Sequence, residues 1–164
     1  DHKLKILEAV ELTNNRQKKV LLEKIITKFN GKLKGKRIAI WGLAFKPDTD
    51  DMREAPSRIL IEGLWSHDAT VTAYDPAAIE EARRVFGNDP RLQFADTAYS
   101  ALENADALVI VTEWKTFRSP DFSLIKSKLK QPIIFDGRNM YDPGSIRAEG
   151  IEYYPIGRNE CLLP

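Results

Sequence analysis

Cysteine is almost absent from this sequence: Cys161, near the carboxyl end, is the only one. A single thiol cannot close an internal disulfide, which excludes a small cross-linked secreted scaffold. Histidine is nearly as scarce, with only His2 and His67, and neither has a second ligand at metal-binding spacing, so no metal is expected. No G-x-S-x-G is present and no histidine neighbours Cys161 in sequence to activate it, so no catalytic residue is assigned. There is no run of 18 or more apolar residues, and the first 30 residues carry too many charges for a signal peptide. No membrane is expected as a partner, and the cytoplasm is the default location. Net charge is missing too: 25 Lys and Arg against 24 Asp and Glu give +1. That balance supplies no global field for nucleic acid, so any anion site must be local. Finally, no two of the nine glycines are separated by one residue. A G-x-G-x-x-G loop is therefore impossible, and a dinucleotide pyrophosphate cannot be cradled here by the usual bare backbone.

Hydrophobic periodicity divides the chain in two. Residues 3–29 read as one long helix, with Leu7, Val10, Leu21 and Ile25 on one stripe and Gly31 as a stop. Its length, on the order of 40 Å, exceeds what most α/β domains need, and suits a domain connector or a surface that pairs with another subunit. Asn14 and Gln17 interrupt the stripe; such amides either face a cleft or bond across a helix pair. The chain opens at Asp1 and enters this pattern at once, as a cut piece of a longer chain would. We therefore expect two units, 1–34 as the end of a connecting and dimerising helix and 35–164 as a globular domain.

In that second unit, short apolar runs alternate with helical stretches. KRIAIWG (36–42), ATVTAY (69–74), DALVIVT (106–112) and QPIIFDG (131–137) each read as a strand, with a weaker one near 151–155. Helices are expected near 55–67, 77–87, 97–104 and 121–129. The alternation implies an α/β, Rossmann-like doubly wound parallel sheet preceded by a long amino-terminal helix. In such sheets ligands bind outside the carboxyl ends of the strands, which selects the loops 43–54, 112–120 and 136–144.

Each selected loop carries chemistry. In GLAFKPDTDDMREAP (42–56), a loop of about a dozen residues stands where 2–6 is usual, and long ordered loops are often functional. Lys46 is a point charge suited to phosphate, Phe45 can cover a planar ligand face, and Arg53 precedes a helix start that also favours anions. The plainer alternative is a solvated turn with Asp50 or Asp51 paired to Arg53. In FDGRNMYDPG (135–144), Arg138 leaves a strand end toward the same crevice as Lys46, and two converging cations suit a diphosphate. Pairing of Arg138 with Asp136 or Asp142 is the alternative. In VTEW (111–114), Trp114 suits packing over the sheet edge, while Thr112 and Glu113 have the positions to line the crevice. Asp75 stands where a Rossmann acid would hold a ribose, but without the glycines a turn or capping role fits better.

AVELTNNRQKK, GLAFKPDTDDMREAPS, YDP, VTEW and FDGRNMYDPG, in this order and spacing, resemble the carboxy-terminal region of the UDP-glucose/GDP-mannose dehydrogenase family, nearest its UDP-glucose 6-dehydrogenase branch. The resemblance covers essentially the whole chain. It implies a UDP-binding Rossmann-like domain joined by a central helix to an amino-terminal NAD-binding domain absent from this sequence. It implies that Phe45, Lys46 and Arg138 contact the nucleotide sugar, UDP-glucose, and that Arg53 reaches across to NAD. It further implies oxidation of UDP-glucose to UDP-glucuronate by the whole enzyme, and a homodimer through the first helix. The glycine-rich cofactor loop and the catalytic-cysteine motif are not in this sequence, and Cys161 in RNECLLP does not match the latter. The chain alone is accordingly expected to lack dehydrogenase activity. Alternatives are the same domain serving GDP-mannose or UDP-N-acetylmannosamine, or a non-catalytic assembly module.

Overall fold

A computed structural model describes residues 5–158 together with 160 and 162; His2 and Cys161 lie outside the described residues. Six strands form one sheet: β1 (Arg37–Trp41), β2 (Thr70–Tyr74), β3 (Leu92–Phe94), β4 (Ala107–Ile110), β5 (Ile133–Asp136) and β6 (Glu152–Pro155). Their order is β3-β2-β1-β4-β5-β6, and every pairing is parallel. Parallel neighbours need crossovers, which α3 (Pro56–Trp65), α4 (Ile79–Phe86), α5 (Phe122–Lys128) and α6 (Pro143–Ala148) supply or border. The winding reverses between β1 and β4, so the crevice expected of a doubly wound sheet lies at their carboxyl ends.

Burial follows from position in the sheet. β4 and β5 are buried at every residue and β1 at all but its first, because helices cover both faces. β2, nearer the edge, alternates buried and half-buried residues. β3 is only three residues long, too short for its RLQF sequence to show a period, and it was not among the expected strands. In the sequence, DPG at 142–144 reads as a turn that closes the loop. Instead Pro143 takes a first-turn position and the Asp142 carboxylate accepts the Ser145 N–H, so a six-residue helix starts.

The single helix expected over residues 3–29 is two helices, α1 (Lys5–Gln17) and α2 (Val20–Lys28). At the break Lys19 N–H bonds the Arg16 carbonyl, three residues back, and the ladder resumes with Glu23 N–H to Lys19. The interruption lets α2 turn onto the sheet. Leu21, Ile25, Phe29 and Leu33 join the same hydrophobic core as Ile38, Ile40 and Ile134. Two glycines admit this docking: a Cβ on Gly63 would meet Leu22 Cδ2 at 2.2 Å, and one on Gly137 would meet Leu21 Cδ1 at 2.7 Å. The stripe is thus split, for Leu7, Val10 and Leu12 on α1 remain exposed. Burial of each large aliphatic side chain in the core contributes about 1.5–3 kcal/mol, so α2 is bound firmly and α1 overhangs.

Candidate functional site

The carboxyl edge of the sheet has two halves. On the β1–β2 side, Asp75 follows β2 and is buried. Its Oδ1 accepts the N–H groups of Ala77 and Ala78, each at 2.8 Å. Its Oδ2 accepts Leu43 N–H at 2.6 Å, Ala44 N–H at 3.1 Å and the Trp114 indole N–H at 3.0 Å. Of the two roles read from sequence the turn is present, while α4 itself starts at Ala78 without a side-chain cap; the carboxylate also ties the loop after β1 to the loop after β4. Beside it, Gly42 has φ +91°, and a Cβ there would lie 2.5 Å from Thr112 Cβ. Thr112 is buried and donates to the Ala44 carbonyl at 2.6 Å. These residues do not fit a dinucleotide held in the standard way, since the ribose-holding acid is saturated and the space at the first glycine is filled.

The other half is open. A cleft of about 720 Å³ is lined by Phe45 after β1, Val111 after β4, Gly137 and Arg138 after β5, and Ile156 after β6. Glu54 and Pro56 close it at the start of α3, and Asn14, Gln17 and Lys18 come from α1 and the turn after it. Asn14 and Gln17 therefore face a cleft, one of the two roles open to them. Lys18 reaches Glu54 at 2.6 Å and pins the turn to the loop before α3.

Arg138 is the cation that the strand ends bring to this cleft, beside the Glu54-paired Lys18. Asp136, buried at the end of β5, accepts the Arg138 and Met140 N–H groups at 2.8 Å each and the Tyr153 hydroxyl at 2.7 Å. Asn139, at φ 54°, pairs its amide with both backbone groups of Ile156. The loop is thereby fixed from β5 and β6, and Arg138 is aimed across the strand ends. Its Nε–H donates to the Val111 carbonyl at 2.7 Å and Nη2 to the Phe45 carbonyl at 3.3 Å. Its acidic neighbour is Glu113, with Oε2 2.9 Å from Nε, rather than the guanidinium partners Asp136 or Asp142 suggested by sequence proximity. Glu113 and Thr112 do not line the cleft; Val111 does.

The remaining candidates sit beside it. Phe45 is 45% exposed, with its N–H closing the loop on the Asp51 carbonyl at 2.8 Å. Lys46 is exposed and not among the cleft-lining residues; the two loops meet through the Arg138–Phe45 bond rather than through the Lys46 side chain. Arg53 is 89% exposed and forms a two-point pair with Asp51, at 3.0 Å and 2.9 Å. The hydrogen-bonded Arg53 guanidinium holds the Asp51 carboxyl at about 2, below its ordinary 3.8. Trp114 is buried as expected of a packing residue. Sequence reasoning missed Glu54, Leu21 and Ile156 as lining residues, because their approach depends on tertiary docking. Among the described residues no group of three or more His, Cys, Asp or Glu is placed to hold a metal ion.

Strand order and cleft position define a Rossmann-like domain with a ligand-sized opening at its topological switch point. Residues 39–143 match the model of the UDP-glucose/GDP-mannose dehydrogenase family, UDP binding domain. The chain belongs to that family. It is 47% identical over 156 residues to a UDP-glucose 6-dehydrogenase of Pseudomonas aeruginosa, covering 93% of this chain and 34% of that protein. Among solved structures it is similar to a UDP-glucose dehydrogenase from Pyrobaculum islandicum, with TM-score 0.65 and 27% identity over 91% of this chain and 30% of that one. It is also similar to a UDP-D-ManNAc dehydrogenase from Pyrococcus horikoshii, with TM-score 0.64 and 30% identity over 84% of this chain and 29% of that one. The chain spans about a third of the length of these relatives.

Proposed function

We propose that this chain is the nucleotide-gripping part of an NAD-dependent enzyme that oxidises UDP-glucose to UDP-glucuronate in the cytoplasm. The observation that supports this best is Arg138: its guanidinium bridges the ends of β1, β4 and β5 at the wall of the cleft, with the Phe45 ring beside it. Arg138 would clamp the sugar-phosphate region, Phe45 would pack on the ligand, and Lys46 would swing from its exposed position to neutralise the diphosphate. NAD would be carried by a segment outside this sequence and would supply the hydride acceptor. Arg53, exposed and turned outward with Asp51, would meet it there. A homodimer would form through α1, whose Leu7, Val10 and Leu12 are exposed. The role of this domain is remote binding: gripping the nucleotide fixes the reacting carbon elsewhere, so the step is helped at a distance.

Titration calorimetry with UDP and GDP on this chain tests the reading. UDP should bind more tightly, and Lys46→Ala should weaken it by about 1.5–3 kcal/mol, the scale of a lost charge-assisted contact, without unfolding the domain. Tighter binding of GDP would shift the reading to a guanine-nucleotide sugar. An unchanged dissociation constant in Lys46→Ala would remove that residue from the grip.

A further inference from the structure

The Arg138 guanidinium faces more oxygen than its hydrogens serve. Nε carries one hydrogen, yet two acceptors lie within reach, the Val111 carbonyl at 2.7 Å and Glu113 Oε2 at 2.9 Å. The hydrogen is aligned with the carbonyl. Glu113 Oε2 is consequently buried with no hydrogen-bond partner among the described residues, although it touches a cation. The Phe45 carbonyl takes one Nη2 hydrogen, which leaves both Nη1 hydrogens and the second on Nη2 without an acceptor among the described residues. Two main-chain carbonyls therefore set the direction of Arg138, and Glu113 acts on its charge. Arg138 lines the cleft and Glu113 does not.

A buried carboxylate oxygen without a donor is unfavourable by itself. Contact without a hydrogen bond suits a counter-ion and not a clamp. We propose that Glu113 is a tempering counter-ion: it lowers the attraction of Arg138 for an anionic ligand without touching the ligand and without orienting the arginine. This rests on the reading of Arg138 as the anion-holding group of the cleft. An anion approaching Arg138 also approaches Glu113, so repulsion offsets part of the attraction and the ligand stays exchangeable. Binding that is equal in ground and transition states does not raise kcat, and an untempered arginine would hold product as firmly as substrate. Were Glu113 needed to position Arg138, its removal would instead weaken binding, so the two roles differ in sign.

The test is Glu113→Gln, which keeps the shape and removes the charge. Titration calorimetry of the 164-residue chain with UDP, inorganic pyrophosphate and uridine should show the two anions binding about three- to tenfold more tightly, less so at high salt. Uridine should not change. The Arg138 Nε–H should stay as protected from exchange with solvent as in the wild type, since Val111 still accepts it, and Glu113→Asp should restore wild-type affinity. Glu113→Ala also removes the charge and must move anion binding the same way. Unchanged or weaker binding of both anions overturns the proposal. If Arg138→Ala abolishes UDP binding while Glu113→Gln leaves it unchanged, the nucleotide reading survives and the counter-ion does not. If pyrophosphate tightens in Glu113→Gln while neither protein binds UDP, the counter-ion survives and the nucleotide reading does not. Failure of both proteins to bind either anion overturns both.

Discussion

Asp75 and Arg138 occupy opposite halves of one sheet edge, and they differ in how much of their hydrogen-bonding capacity the protein itself consumes. Asp75 receives five N–H donors from three segments, which leaves nothing for a ligand. Arg138, which lines the cleft, uses two of its five hydrogens on carbonyls, and no acceptor among the described residues takes the other three. One charge is spent on holding loops together, while the other is held in place by loops. At a strand end, then, charge alone does not tell which group is left free to bond; unspent bonding capacity does.

The strongest way to break this contrast is Asp75→Ala. Five donors lose their acceptor in a buried place, so chemical denaturation should show a loss of about 3–5 kcal/mol. A small loss would mean that the loops are held by packing. Next is Gly42→Ala, in the same half: the left-handed φ and the overlap with Thr112 should cost about 2–4 kcal/mol, read as a lowered denaturation midpoint. In the open half the expectation reverses. Arg138→Ala should weaken UDP binding by about 1.5–3 kcal/mol while the denaturation midpoint barely moves, and a large fall in stability would place Arg138 with Asp75 as a structural group. The smallest effect belongs to the exposed Asp51–Arg53 pair. The folded-state pKa of Asp51, about 2, lies below the ordinary 3.8, so the unfolded chain binds the proton more readily. Its contribution is present above about pH 3.8 and is lost as pH falls toward 2. Arg53→Ala should return the Asp51 titration, followed by NMR, toward 3.8.

Legibility in the sequence tracked how local each cause is. β1, β2, β4 and β5 announce themselves because each is an apolar run bounded by turn residues. The acid cap of α6 was also written locally, in Asp142-Pro143, but DPG reads equally well as a turn, and only the following Ile146 packing decides for a helix. The break at Lys18–Lys19 left no mark, since the helical period of apolar residues continues across it. What ends the helix there is the seating of Leu21 and Leu22 against two glycines far along the chain. Arg138 was readable as a cation at a strand end. Its partner was not: Glu113 lies 25 residues earlier, while Asp136 and Asp142 are nearer in sequence and turn their oxygens to backbone N–H groups. Asp75 was legible as a turn residue through Ala77 and Ala78, but its three other donors arrive from loops 31, 32 and 39 residues away.

The turn between α1 and α2 makes one wall of the cleft a lever. Its fulcrum is fixed where Lys18 grips Glu54, its short arm is rooted among core side chains, and its long arm, on the order of 20 Å, carries Leu7 and Val10 outside. The same helix carries Glu11, Asn14 and Gln17 along the cleft, so a partner packed on the outer arm would bear on the wall above Arg138.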